Sequence, residues 1–102
     1  MNKNKLLPLT ETTFFILLAL LEPLHGYAIM QKVEELSNGR VRIAAGTLYG
    51  ATENLLKQKL IHEVPGTDKR RRVYALTDAG KDLLTQEAAR LKELSALADA
   101  LL

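Results

Sequence analysis

Two features of the sequence could do chemistry, a polar face on one predicted helix and a run of four cations. The polar face lies within residues 47–58 and comprises Thr47, Tyr49, Gly50, Glu53, Asn54, Lys57 and Gln58. The cations follow in a polar loop and are Lys69, Arg70, Arg71 and Arg72. Hydrogen-bond donors and acceptors beside fixed positive charge are the groups that contact phosphates and base edges of duplex DNA.

No set of residues predicts catalysis or metal binding. The two histidines, His25 and His62, lie on different predicted elements without a neighbouring carboxylate pattern, and there are no cysteines. Serine and acidic side chains form no nucleophile and base pair, and no phosphate-binding loop or cofactor motif occurs. The sequence therefore predicts no enzyme activity, cofactor or metal site. His25 is expected instead to bond backbone at the start of a helix.

The composition is that of a small folded protein with its positive charge concentrated in one part. Of 102 residues, 47% are hydrophobic and 25% are charged, which describes one globular domain. Residues 1–77 carry 11 basic and 7 acidic side chains, whereas residues 78–102 carry 3 and 5. Local basic charge favours a surface that touches phosphates, although a run of four cations is also compatible with a solvated loop.

The N-terminal region resembles a secretory signal only superficially. Lys3 and Lys5 precede an apolar run over residues 14–21, but Glu22 and Pro23 follow it without a small-residue cleavage site. The eight apolar residues are too few to cross a bilayer as a helix. We interpret the run as a buried helix and expect a cytoplasmic protein without membrane association, to which the absence of cysteine is suited.

Three helices are predicted before residue 60. The first spans about residues 10–22, is capped by Thr10 and is apolar on more than one side, which predicts a second surface supplied by a partner subunit. The second begins at His25 and ends at Asn38 and Gly39, which favour a left-handed cap. Its predicted inward residues are Tyr27, Met30, Val33 and Leu36. The third spans residues 47–59, with Leu48, Ala51, Leu55 and Leu56 inward.

The remainder predicts a β-hairpin and one long helix. Residues 61–64 and 72–76 alternate in polarity around a glycine-containing loop, which is typical of two paired strands. Strand alternation also allows Arg72 to point back across the hairpin instead of outward. A final helix then begins at Thr77 or Asp78 and runs nearly to residue 102. The expected fold is mainly α with a small β-hairpin: a winged helix-turn-helix at 1–77 and a C-terminal dimerisation helix at 78–102.

The last helix carries an apolar stripe that needs a partner surface. A helix of about 24 residues spans ~36 Å, longer than so small a body covers, so pairing with a second copy is favoured over folding back. The residues predicted for the dimer contact are Phe14, Leu84, Leu91, Leu94, Ala98 and Leu101.

The predicted DNA contacts come from the third helix and the hairpin. Thr47 and Tyr49 are assigned to phosphates, and Asn54 and Lys57 to bases or backbone; alternatively, Tyr49 packs against the wing and Asn54 is merely exposed. On the wing, the predicted contacts are Lys69, Arg70 and Arg71. Glu53 is unfavourable near phosphates, so base readout by this helix is expected to be sparse.

The sequence resembles the PadR family of bacterial transcriptional regulators. The matching blocks are His25-Gly26-Tyr27, Gly46-Thr47-Leu48-Tyr49, and the run from Arg71-Arg72-Val73-Tyr74 to Thr77-Asp78-Ala79-Gly80. The single C-terminal helix is similar to that of the short-form members, which dimerise through that helix and the first one. The resemblance implies a homodimeric repressor that binds a pseudo-palindromic operator on double-stranded DNA and often responds to a small-molecule effector.

One departure from the family pattern concerns that effector. Short-form members that bind drugs stack flat ligands on a tryptophan of the last helix, and this chain has no tryptophan. Effector binding by indole stacking is therefore not expected here. A different class of function, a winged helix that binds another protein without sequence-specific DNA contact, remains the alternative to a transcriptional regulator.

Overall fold

A computed structural model of the protein describes residues 5–65 and 70–102. Within them the chain forms four helices and three strands. In order these are α1 (Glu11–Ala19), β1 (Leu24–His25), α2 (Gly26–Leu36), α3 (Ala45–Lys57), β2 (Ile61–Glu63), β3 (Val73–Leu76) and α4 (Asp78–Leu101). The mainly helical fold with a small hairpin is as predicted.

Polar caps start three of the helices at sequence-encoded positions. The hydroxyl of Thr10 accepts a hydrogen bond from the Thr13 amide, and the hydroxyl of Thr77 accepts one from the Gly80 amide. His25 Nδ1 accepts the Ala28 amide at 3.3 Å, which confirms the expected backbone role of this histidine. Each cap satisfies one of the amides that the first turn of a helix leaves unpaired.

A short turn joins α2 to α3. Asn38 and Gly39 have φ angles of 54° and 79°, the left-handed geometry expected from their sequence. The hydroxyl oxygen of Ser37 accepts a hydrogen bond from the Val41 amide at 2.9 Å, so a side chain within the turn stabilises it. Val41 and Ile43 pack on the core as predicted. The helix-turn-helix therefore has a rigid connection that fixes the direction of α3.

The sheet has three antiparallel strands in the order β1-β3-β2. The hairpin pairs Ile61 with Leu76 and Glu63 with Tyr74, in agreement with the predicted alternation. On the other edge of β3, Leu24 pairs with Tyr74 and His25 with Val73. This third strand was not predicted. It joins the start of α2 to the hairpin through backbone pairing.

One core lies between the helices and the sheet. Ile16, Leu17, Ile29 and Val33 are fully buried, and Leu83 is 1% exposed. Burying a side chain of this size stabilises a fold by about 1.5–3 kcal/mol. These residues come from α1, α2 and α4, so the first and last helices complete the core on which α3 rests.

The end of α1 and the inward face of α2 differ from the sequence predictions. Helix α1 ends at Ala19 instead of residue 22, because the Leu20 amide already bonds back to both Ile16 and Leu17 and the chain then turns into β1. The inward face of α2 is Ile29 and Val33, whereas Tyr27 is 65% exposed. Of the other predicted inward residues, Val33 is confirmed and Met30 packs against the core, whereas Leu36 is 41% exposed.

The residues predicted for the dimer contact on α4 differ in exposure, and their assignment stays a prediction. Leu84 is 6% exposed and lies in the core of its own chain. From Leu91 to Leu102 every residue is exposed, and Leu91, Leu94, Leu97 and Leu101 lie between 41% and 77% exposed. In the described part of the chain, no helix is both long enough and apolar enough to cross a membrane.

Candidate nucleic-acid interface

Helix α3 turns its apolar side inward and its polar side to solvent. Leu48, Thr52 and Leu55 are buried against the core. Around the opposite side Thr47, Gly50, Asn54 and Lys57 are exposed, together with Gln58 after the helix. The outward polar surface predicted from the sequence is thus present, and about three helical turns of it are accessible to a groove-sized partner.

Tyr49 stands on one flank of this surface, beside a cleft. The cleft has a volume of about 770 Å³ and lies between the first turns of α2 and α3 and the foot of the hairpin. Three tyrosines and three arginines line it: Tyr27, Tyr49, Tyr74, Arg70, Arg71 and Arg72. Tyr49 is 61% exposed, so it is not packed away against the wing. Tyr49 and the arginines border the same cleft.

Asn54 stands on the other flank of α3. It lines a smaller cavity of about 180 Å³ together with Leu6, Pro8 and Thr10 of the N-terminal segment. Asn54 and Tyr49 therefore border different depressions, and the structure does not bring them together. An operator contact by Asn54 would approach from the side of the N-terminal segment, and one by Tyr49 from the side of the wing.

The cations of the hairpin divide into two groups. Arg70 and Arg71 are exposed at the foot of the loop, while Lys69 lies outside the described residues. Arg72 is only 35% exposed in its side chain and lies among carboxylates. The prediction that Arg72 points back across the hairpin is confirmed.

Arg72 connects the hairpin to α3. Its Nε donates a hydrogen bond to Glu63 Oε1 at 3.2 Å, and its Nη1 lies 3.6 Å from Glu53 Oε2. The guanidinium also stacks over the Tyr74 ring, with Cζ 5.4 Å from the ring centroid. Burial opposes the charge of Arg72, but Tyr74 and the carboxylates of Glu63 and Glu53 outweigh it, so the pKa of Arg72 is raised.

Glu53 has a different role from the one expected on the outward face. Its carboxylate is half-buried, its Oε2 atom is enclosed, and no described residue donates a hydrogen bond to that atom. The ion pair with Arg72 is therefore its only described electrostatic compensation. The negative charge of Glu53 is therefore paired with Arg72 at the hairpin, and sparse base readout by α3 stays a prediction.

The first turn of α3 is the one left uncapped among the four helices. Ala44 occupies the cap position, and no described side chain bonds to the amides that follow it. These amides carry partial positive charge and suit an anion such as a phosphate. Thr47 and Tyr49 stand in the same first turn, which makes this end of α3 the electropositive edge of the surface.

Tyr27 and His25 were not assigned to this surface from the sequence. Tyr27 was predicted to be a core residue, yet it is exposed and lines the cleft beside the arginines. The signal that could have placed it is its position one residue after the helix start, where a side chain projects beyond the packed face. The surface thus draws on α2 as well as on α3 and the hairpin.

Comparison with protein families identifies the class to which this arrangement belongs. The model of the transcriptional regulator PadR-like family matches residues 16–86, which include the end of α1, all of α2 and α3, and both hairpin strands. The chain belongs to the PadR-like family. PadR-like proteins are transcriptional regulators, so the family assignment supports regulation over enzyme activity for this fold.

Solved PadR-like structures show the same fold. A PadR-like transcription factor from Bacteroides fragilis is 26% identical with a TM-score of 0.74, covering 89% of each chain. A PadR-family regulator from Eggerthella lenta is 27% identical with a TM-score of 0.71, covering 88% of this chain and 80% of that one. These values place the four helices and the winged hairpin of this chain in a shared architecture.

A curated relative is longer than this chain. It is a 37.1 kDa protein in transposon TN4556 of Streptomyces fradiae, 39% identical over 87 residues. The match covers 83% of this chain but 24% of the relative, so the chain spans about a quarter of that protein's length. The PadR-like unit therefore also occurs within a larger protein.

Proposed function

We propose that this PadR-like protein is a homodimeric repressor that binds a pseudo-palindromic operator in double-stranded DNA. In this proposal residues 1–77 form the DNA-binding unit and residues 78–102 the dimerisation helix. The observation that carries it is the juxtaposition of the exposed polar face of α3 with Arg70 and Arg71 on the hairpin. This geometry supports an arrangement with α3 in the major groove and the cationic wing on the flanking DNA backbone.

Within the proposed complex the residues have separate roles. Thr47 and Tyr49, at the uncapped start of α3, bond phosphates, and Lys57 reaches a base edge or the backbone farther along the helix. Asn54 is assigned to a base or backbone contact from the opposite flank. Lys69, Arg70 and Arg71 contact phosphates or enter the minor groove beside the helix.

Dimerisation is proposed from the unpartnered side of α4 and α1. The exposed residues Leu91, Leu94, Ala98 and Leu101 continue the same helical face that Leu83 and Glu87 bury lower down. Phe14 on α1 is partly buried beside Phe15, with the rings edge to face at 6.5 Å. An apolar face that continues past the end of its own core is a self-complementary surface for a two-fold partner.

The salt dependence of DNA binding tests the wing. We expect Arg70→Ala/Arg71→Ala to weaken binding of a duplex DNA in fluorescence anisotropy. If each arginine neutralises one phosphate, the slope of log affinity against log salt falls by about 0.9 for each contact. Lys81→Ala/Lys92→Ala removes the same charge from exposed positions on α4 and should leave the slope unchanged.

The outcomes separate the proposal from its alternative. A wild-type protein that shows no salt-dependent affinity for any duplex would favour a protein-interaction module. Selection of bound duplexes from a random pool should yield two related half-sites with centres about one helical turn apart. A thermal-shift screen then addresses the effector, which in this chain would have to bind without tryptophan stacking.

A further inference from the structure

We propose that Arg72 is the positioning residue of the DNA-binding surface, holding the wing at a fixed distance from α3 without touching DNA itself. The proposal rests on the function proposed above and assigns a separate task to one member of the cationic run. Arg70 and Arg71 face solvent beside the cleft, whereas Arg72 is enclosed by groups from three elements.

The geometry shows a three-way clamp. Glu63 belongs to β2, Tyr74 to β3 and Glu53 to α3, and one guanidinium meets all three. Glu63 and Tyr74 are paired directly across the hairpin, so their side chains are fixed relative to each other. Glu53 is the group that lies outside the sheet. The contact of Arg72 with Glu53 therefore holds the hairpin at a fixed distance from α3.

The chemistry of the guanidinium suits this task better than phosphate binding. Its planar fork engages two carboxylates at once and stacks on an aromatic face, which a lysine does not reproduce. A phosphate contact through the Nη1 that faces Glu53 would compete with this ion pair, and Glu53 Oε2 receives no hydrogen bond from the described residues to replace it. Stripping a half-enclosed carboxylate of its cation costs free energy, so the pairing is retained when DNA arrives.

The two models of Arg72 predict opposite signs for changes to its carboxylate partners. If Arg72 contacts DNA, Glu53→Gln and Glu63→Gln remove negative charge from a DNA-facing surface and free a cation, so binding tightens. If Arg72 positions the wing, the same changes loosen the wing, so binding weakens although the surface has become more positive. The sign of the change in DNA affinity therefore distinguishes the two models.

The experiment uses a duplex selected from a random pool by the wild-type protein. We expect Glu53→Gln/Glu63→Gln to bind it about fivefold or more weakly, the effect of losing roughly two modest ion-pair contacts. The salt slope should also fall, because Arg70 and Arg71 no longer reach their phosphates. A loss of folded protein alone lowers the active fraction without changing that slope, and each titration is made well below the variant's melting temperature.

Further variants control for charge and for folding. Glu34→Gln removes an equal charge from another Arg–Glu pair, with Arg42 Nε 3.3 Å from Glu34 Oε2, and should bind as tightly as wild type or more tightly. Arg72→Lys keeps the charge but not the fork, and should weaken binding as the partner changes do. Binding by Glu53→Gln/Glu63→Gln that equals or exceeds wild type overturns the proposal, as does wild-type affinity of Arg72→Lys. Failure of the wild-type protein to select any duplex would instead count against the proposed function.

Discussion

Glu87 illustrates what a single residue decides in this fold. Its carboxylate is 2% exposed, and it accepts the Leu9 amide at 2.9 Å and two hydrogen bonds from Arg90, at 2.6 and 2.9 Å. Hydrogen bonding by Arg90 lowers the pKa of Glu87 although burial opposes it, and the Leu9 amide lowers it further. This group joins the N-terminal segment to α4 at the point where the helix leaves the body.

The pH dependence of stability tests this role. Because the folded-state pKa of Glu87 is lowered, its contribution is fully present above the ordinary carboxyl pKa of about 4.5 and is lost as the pH falls through the lower folded value. We expect Glu87→Gln to reduce the free energy of unfolding at pH 7 by about 1–3 kcal/mol. The deficit should shrink at a pH below the lowered folded pKa, where wild-type Glu87 also becomes protonated.

Urea unfolding at both pH values measures the difference. Glu93→Gln, an exposed carboxylate on the same helix, serves as the matched control and should change stability by less than ~0.5 kcal/mol. A deficit for Glu87→Gln that is as large at low pH as at pH 7 would contradict the assignment to the ionised carboxylate.

At the scale of elements, two glycines distinguish a packed helix from an open one. A Cβ on Gly80 would lie 2.0 Å from the Leu60 carbonyl oxygen, because the backbone of the first turn of α4 lies directly against the segment that joins α3 to β2. A Cβ on Gly50 of α3 meets nothing within 4 Å. The close crossing of α4 fixes where the helix leaves the hairpin, while the surface of α3 at Gly50 is unobstructed.

These glycines should respond to alanine in opposite ways. We expect Gly80→Ala to destabilise the fold by about 1–3 kcal/mol, since a rigid backbone carbonyl has to shift. Gly50→Ala should stabilise it by about 0.5–1 kcal/mol, because alanine costs less conformational entropy in a helix interior. Thermal or urea unfolding measures both, and a shift of the two midpoints in the same direction would contradict this account.

At the scale of the whole molecule, the protruding half of α4 determines the shape. The radius of gyration is 14.6 Å, compared with a radius of about 13 Å expected for a compact chain of this length. The longest axis is 51 Å. The excess comes from the turns beyond Arg90, whose leucines lie in solvent. The exposed apolar end of α4, residues 91–102, is consistent with the proposed dimer. Substitutions on this end test the dimer directly.

A glutamate introduced on one side or the other of this exposed end of α4 distinguishes a face that contacts the partner from a face in solvent. We expect Leu94→Glu to convert the proposed dimer to monomer, because two carboxylates would be buried across a two-fold axis. Ala96→Glu introduces the same charge on the opposite side of the helix and should remain dimeric. Light scattering after gel filtration measures the mass, and equal masses for the two variants would exclude this face from the assembly.

The loss of dimer should also appear in DNA binding. A duplex with two half-sites should bind Leu94→Glu more weakly than wild type, whereas a single half-site should bind the two proteins alike. Equal weakening on both duplexes would point to damage within the DNA-binding unit instead of loss of the partner.

Local chemistry made much of this fold readable from the sequence. Thr10 and His25 start helices because their side chains reach amides three residues away, and Asn38 with Gly39 ends one because both tolerate a positive φ. The hairpin and the polar side of α3 follow from period-two and helical spacing, which need no knowledge of distant residues. The family resemblance rests on these same local blocks and is confirmed by the match over residues 16–86.

The tertiary structure decided the features that depend on distant pairs. Strand β1 forms where Leu24 meets Tyr74, and the buried Glu87 is paired by the Leu9 amide, which is far away along the chain. The different fates of Arg71 and Arg72 arise in the same way, since only Arg72 is directed at Glu53 and Glu63. Adjacent cations are equivalent in a sequence because spacing records residue type, whereas their partners are set by how helix and hairpin pack.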